Sequence, residues 1–185
     1  MSFLTSLPPA AGLLQVFQLF PESARTLLEY HETLLRGESP FSAAERELIA
    51  AYVSGLNNCD YCHAVHSQTA VALGINANAI ATLLSDPART DLAERMRPVL
   101  DFVRELTLSP AKITAADVDP IFAAVWDDRA LHDATAICAL FSLMNRLVSG
   151  LGVEASESYT KMAAQRLASG GYAQLLNLIP AAKSE

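Results

Sequence analysis

Aromatic residues are scarce in this chain, at 7%, and it has only three cysteines, four histidines and one tryptophan. With 51% of its residues apolar, the interior must be built from Ala, Leu, Val and Ile, which suit close helix packing better than a β-sandwich. Positive charge is also in short supply. Thirteen Lys and Arg stand against twenty Asp and Glu for a net charge of -7, and the basic residues are scattered, so a nucleic-acid partner is not expected. No Lys or Arg precedes Arg25, so the basic segment that opens a secretory leader is missing. The apolar run around Ala134 to Met144 is too short to cross a bilayer and is closed by Asn145 and Arg146. A soluble cytoplasmic protein without a membrane partner is the expectation. There, a structural disulfide is out of place and a close cysteine pair points to redox chemistry or a metal. At 185 residues the chain has the size of one domain, expected to span 1–185.

Helix punctuation is abundant. After Pro8 and Pro9 an apolar helical stretch is predicted to about Leu35, ending at the Gly37 to Pro40 breaker. Ser42 and Glu45 form a capping box, predicting a helix to about Gly55. Asn57 or Asn58 is placed to cap a helix carrying Cys59 to Leu73 and ending at Gly74. Asn76 or Asn78 opens a short helix that stops near Asp86-Pro87. From Asp91 to Leu106, residues Leu92, Met96, Val99, Leu100, Val103 and Leu106 keep a helical period, with a bend expected at Pro98. Thr114 with Asp117, Asp127 with Asp128, and Ser156 mark three further starts; the second leads through Cys138 to about Val148, and the third ends at Gly170-Gly171. No segment alternates like a half-buried strand, so the predicted fold class is all-α.

Half the histidines and two of the three cysteines fall in NNCDYCHAVH, residues 57 to 66. At about 100° per residue, Cys59, Cys62, His63 and His66 share about a third of the helix circumference, with Tyr61 pointing elsewhere. Four readings compete. Incidental buried thiols leave the clustering unexplained. A zinc site lacks a second ligand pair, since only His31, His132 and Cys138 remain elsewhere. Cys59 to His63 matches the C-x-x-C-H of c-type haem attachment, but that chemistry belongs to exported proteins and leaves His66 unused. A dithiol redox centre accounts for more. Thiols in a first helical turn feel free N–H groups and the positive dipole end, which lowers their pKa. His66, one turn beyond Cys62, can accept or relay its proton, and Cys59 is near enough to condense with a Cys62 sulfenic acid. Glu47 reads as a solvated carboxylate or, among the small residues Ala44, Ala50, Ala51, Ser54 and Gly55, as one buried against the cysteine helix. Cys138 reads as core filler, and His132-Asp133 as a capping or solvated pair.

Glu47, Cys59, Cys62 and His66 together resemble the E-x11-C-x-x-C-x3-H signature of the alkylhydroperoxidase D (AhpD) proteins, in the carboxymuconolactone decarboxylase-like superfamily. Residues 41 to 74, FSAAERELIAAYVSGLNNCDYCHAVHSQTAVALG, resemble especially its peroxidase-related branch, where Tyr commonly precedes the second Cys. A weaker likeness extends to Asn145, Arg146, Leu147 and Gly152. The resemblance implies an AhpD-like helical bundle that forms homo-oligomers, trimers or hexamers, and a cysteine-dependent hydroperoxide reductase with no bound cofactor or metal. It implies that Cys62 attacks the small-molecule hydroperoxide and becomes the sulfenic acid. Cys59 would resolve it as a disulfide and exchange with a reducing thiol or lipoyl-type protein partner, while Glu47 and His66 relay protons. Tyr61 and His63 are candidate relay or site-lining residues. The best-known members carry His where Tyr61 stands, and a phenol titrates near 10, so a different relay or pH optimum is implied. Two alternatives remain: a lactone-decarboxylating enzyme, against which the intact cysteine pair speaks, and a redox-sensing or thiol-disulfide exchange module without peroxide turnover.

Overall fold

The computed structural model describes residues 2–8, 10–86 and 91–181, and among these all regular structure is helical. Pro9 and Pro87 of the sequence reading lie outside the described residues. In chain order the helices are α1 (Leu13–Leu19), α2 (Pro21–Arg36), α3 (Ala43–Leu56), α4 (Asp60–Ala72), α5 (Ala77–Ser85), α6 (Arg97–Leu108), α7 (Ala115–Ala123), α8 (Asp128–Gly150), α9 (Glu157–Gly170) and α10 (Ala173–Leu176). None of the described helices is long and apolar enough to cross a membrane.

Capping chemistry sets most boundaries. Ser42 Oγ accepts the Glu45 amide at 3.2 Å while the Glu45 carboxylate takes the Ser42 amide at 2.8 Å, which satisfies two donors the helix itself leaves open. Asn76, Asp127 and Ser156 cap α5, α8 and α9 through their side chains, and Thr114 with Asp117 boxes the start of α7.

Three boundaries differ from expectation. The stretch before Leu35 is two helices, because Phe20 leaves helical geometry and Pro21, which lacks an N–H, starts the second. The helix expected from Asp91 begins at Arg97 after a 3-10 turn at Glu94–Met96; Pro98 then sits in its first turn, where proline needs no bend. Neither Asn57 nor Asn58 caps α4. Asn57 closes α3, Asn58 takes a left-handed φ of 55°, and the N-cap residue is Cys59. That turn is pinned by the Cys59 amide donating to the Ser54 carbonyl at 2.9 Å.

α3 is central, with every residue from Glu45 to Ser54 buried. A helix enclosed on all sides must be apolar or have its polar groups partnered. Its small-residue face, Ala50, Ala51, Ser54 and Gly55, lies against α4 and α5; a Cβ on Gly55 would collide with Leu84 and crowd the His63 ring. α8 and α6 pack elsewhere on α3, and α9 covers α4. Leu28, Leu35, Leu48, Ile49 and Phe141 anchor this core, fully buried, at about 1.5–3 kcal/mol each. The cysteine helix is thereby held between α3 and α9, one side facing a buried carboxylate and the other an opening to solvent.

Candidate active site

Glu47 projects from the middle of α3 and is 0% exposed. An unpaired carboxylate there would cost several kcal/mol, on the order of the penalty for any buried ion. Three segments remove it. Arg36 Nη2, at the end of α2, donates to Oε1 at 2.6 Å; the Tyr172 hydroxyl donates to the same oxygen at 3.0 Å; His66 Nδ1, from α4, donates to Oε2 at 2.7 Å. Burial opposes charge on Glu47, but His66 and Arg36 together outweigh it and hold the carboxyl below its ordinary range. The bond to a carboxylate also fixes the imidazole: Nδ1 carries the proton and Nε2 is left as an acceptor. Burial, then the charge of Glu47, pushes the Tyr172 phenol well above its usual range, so it stays a donor.

Tyr172 reaches this point through a tight turn after α9. Gly171 takes a φ of 63°, and Glu32 accepts the amides of Tyr172 and Ala173 at 2.6 and 2.9 Å. A Cβ at Gly171 would press on Glu32 and Arg36, so glycine is required both for the backbone and for the space.

Cys59 and Cys62 are both buried, and neither is in a disulfide. A hydrogen bond from the Cys62 side chain brings the Cys59 pKa down to about 6 against the opposing effect of burial, helped by the Cys62 amide, Ser149 and Asn145. The same contact, with burial, pushes the Cys62 thiol far up. At rest the negative charge therefore belongs to Cys59, and Cys62 donates its proton to it. Asn145 is oriented for this from both sides: Asn57 Nδ2 donates to its Oδ1 and its Nδ2 donates to Ser54 Oγ, each at 3.0 Å.

The two thiols face different spaces. Cys59 lines an outer cleft of about 620 Å³ with Gln68, Ser149, Glu154, Glu157 and Thr160. Cys62 lines an inner cavity of about 70 Å³ with His66, His31, Phe141 and Tyr172 among mostly aliphatic side chains. Tyr61 borders both spaces. Its hydroxyl meets that of Tyr159 at 3.3 Å, and burial pushes its phenol far above the ordinary range. Burial thus keeps the Tyr61 phenol protonated near neutrality, where it borders both spaces.

Glu47 and His66, expected together, are in direct contact, and Cys62 shares the cavity with His66. His63 departs from that group, with Nδ1 on the Ala51 carbonyl at 2.9 Å. Cys138 lies in the core, its thiol 3.2 Å from Thr107 Oγ1. His132 is exposed as expected, but Asp133 is 1% exposed and pairs with both Arg129 and His132, so the pair is neither a cap nor wholly solvated. Among the described residues no group of three or more His, Cys, Asp or Glu is arranged to hold a metal. Arg36, Tyr172, Asn145 and Ser149 were not anticipated; Asn145 lay in a stretch singled out only for a weak likeness.

The carboxymuconolactone decarboxylase family profile matches residues 21–105, the stretch that carries Glu47, both thiols and His66. No curated protein matches. Among solved structures, an uncharacterized peroxidase-related protein from Silicibacter sp. TM1040 is similar at a TM-score of 0.74 and 27% identity, over 80% of this chain and 78% of that one. An uncharacterized peroxidase-related protein from Ralstonia eutropha JMP134, described as an alkylhydroperoxidase AhpD core, has a TM-score of 0.74 at 23% identity, with 80% and 78% covered. The debrominase Bmp8 is similar in fold, with a TM-score of 0.67 at 19% identity and 82% and 81% covered. With Glu47, Cys59, Cys62 and His66 in the expected register, residues 21–105 match the carboxymuconolactone decarboxylase family, and the chain is similar in fold to the peroxidase-related proteins over 80% of its length.

Proposed function

We propose that this chain is a dithiol hydroperoxide reductase. One observation carries the proposal: Cys62 and His66, the latter backed by Glu47, line one small, mostly apolar cavity while Cys59 faces a larger, more polar cleft. The buried thiol becomes a nucleophile when its proton passes to His66 Nε2, which leaves Cys59 as the thiolate. Cys62 sulfur attacks the terminal oxygen of the hydroperoxide, the O–O bond breaks, and the departing alkoxide takes a proton from the imidazolium. The alcohol leaves and Cys62 is a sulfenic acid. The Cys59 thiolate then attacks that sulfur; the S–S bond forms and hydroxide departs, protonated from solvent. Glu47 stabilises the imidazolium and keeps its ring in register. An external dithiol, a reducing thiol or lipoyl-type protein, restores both thiols from the cleft. In sum, hydroperoxide and dithiol give alcohol, water and disulfide, with no bound cofactor.

Stopped-flow oxidation by tert-butyl hydroperoxide, with mass spectrometry of the cysteine products, tests this. Cys62→Ser should abolish turnover, and Cys59→Ser should leave a sulfenic acid that dimedone traps. A double serine variant that consumed peroxide as fast as wild type would end the proposal. A cytoplasmic setting and assembly into trimers or hexamers belong to the same proposal; light scattering tests the second.

A second reading, thiol-disulfide exchange without peroxide turnover, is favoured by the strength with which burial and Cys59 hold the Cys62 proton. Peroxide consumption that stops at one equivalent per chain, despite a competent dithiol, would select it.

A further inference from the structure

The inner cavity contains a second imidazole. His31 lies on the buried stripe of α2 and is 3% exposed. Its Nδ1 donates to the Leu27 carbonyl one turn back, at 2.7 Å. In the neutral ring that bond leaves Nε2 an acceptor, and among the described residues nothing donates to it. The ring is set by Phe141, edge-on at 5.9 Å between centroids, and by Tyr172 at 5.1 Å. Burial, chiefly, lowers the His31 pKa to about 4, so the ring is neutral wherever the enzyme would work. An acceptor that no protein donor occupies is available for use by a ligand in the space it borders.

The use is indicated by what shares the cavity. His66 Phe141 and His31 Phe141 contacts place the two imidazoles on the same phenyl ring, and Cys62 lines the same 70 Å³. Apart from these, its walls are apolar except for the phenols of Tyr61 and Tyr172, which are already engaged with Tyr159 and Glu47. We propose that His31 Nε2 accepts a hydrogen bond from the terminal O–H of the hydroperoxide and so holds that oxygen toward Cys62. The contact rests on the function proposed above and adds a substrate requirement to it. Only an oxidant with a proton on its reacting oxygen gains from His31; a diazene such as diamide, which carries no O–H, does not. In the attack step His31 neither gains nor loses a proton. It orients, while His66 handles the proton that Cys62 releases and the alkoxide takes up.

The test compares two oxidants on three full-length proteins. Wild type, His31→Leu and His31→Gln are each oxidised by tert-butyl hydroperoxide and by diamide, and the second-order rate constants are read by stopped flow. Loss of one productive hydrogen bond should slow His31→Leu about tenfold toward hydroperoxide and leave diamide within about twofold of wild type. Gln, which keeps an acceptor near the Nε2 position, should recover most of the hydroperoxide rate. Equal hydroperoxide rates in wild type and His31→Leu overturn the proposal, as does a parallel loss toward both oxidants that Gln fails to recover. If wild type itself ignores hydroperoxide while diamide still closes the disulfide, the function proposed above is wrong, and this contact with it.

Discussion

Two buried carboxylates in this chain each pair with a histidine and an arginine. Glu47 meets His66 at 2.7 Å and Arg36 at 2.6 Å; Asp133 meets His132 at 2.9 Å and Arg129 at 2.8 Å. Bond for bond they look alike, yet their partners stand in different media. The His66 and Arg36 side chains are 9% and 14% exposed, whereas those of His132 and Arg129 are 68% and 55% exposed. Water screens the second pair and offers its members other partners, so little chemistry can be concentrated there. Glu47 also has both oxygens bonded, while Asp133 Oδ2 has no hydrogen-bond partner. Only the Glu47 pair has a thiol across a cavity from its imidazole. A histidine beside a carboxylate is thus a candidate site only when burial and a nucleophile accompany it.

The contrast is sharpest in catalysis. Glu47→Gln or His66→Asn should slow hydroperoxide oxidation on the order of 10²-fold, the scale of positioned acid-base help, while Asp133→Asn and His132→Ala leave the folded enzyme's rate within about twofold. Stopped-flow traces on the four variants decide it. Equal losses at both pairs would erase the distinction.

In stability the gap should be smaller. Glu47→Leu strands the buried His66 and Tyr172 donors and leaves Arg36 without its carboxylate, and should cost about 3–5 kcal/mol, whereas Asp133→Leu frees an arginine and a histidine that water can reach and should cost about half as much or less. Urea midpoints for the two variants measure this.

His31 supplies a third case, an imidazole buried with no carboxylate bonded to it. Its folded pKa, about 4, lies below the 6.5 of the unfolded chain. Between those values the unfolded state binds the extra proton, so stability present above pH 6.5 is lost as pH falls toward 4, by about 3 kcal/mol from this group. His31→Gln should flatten that part of a stability-versus-pH curve. The thiols give the smallest effect. Thiolate absorbance at 240 nm or the rate of iodoacetamide alkylation should titrate near pH 6 in wild type, and Cys62→Ala or Ser149→Ala should move the midpoint upward. An unmoved midpoint would mean that the helix end, and not these donors, sets the acidity.

Much of this was legible in the sequence, because the signals were local. Ser42 with Glu45 and Thr114 with Asp117 place helix starts by contacts three residues apart, and the spacing from Glu47 to His66 lies within two consecutive helices. Arg36, Tyr172 and Ser149 could not be read in this way. Tyr172 meets Glu47 across 125 positions, and its approach depends on a single turn at Gly171. His31 did leave a trace: it interrupts the stripe of Ala24, Leu28 and Leu35 on α2, and a polar ring among buried aliphatics asks for a reason. The α1 and α2 boundary was missed because the apolar pattern continues through Phe20, while Pro21 stops the helix for a reason of backbone geometry.

The turn from Cys59 to Cys62 stands in a partition, with Tyr61 as part of the same wall and a different chamber on each side. In the proposed cycle such a partition works as a turnstile. Peroxide would arrive on the small apolar side and the reducing dithiol on the larger polar side, so neither need vacate the seat of the other. Crowding the cleft with reductant would then leave peroxide capture untouched, and rates measured against one substrate at several levels of the other should fall on parallel double-reciprocal lines, free of substrate inhibition.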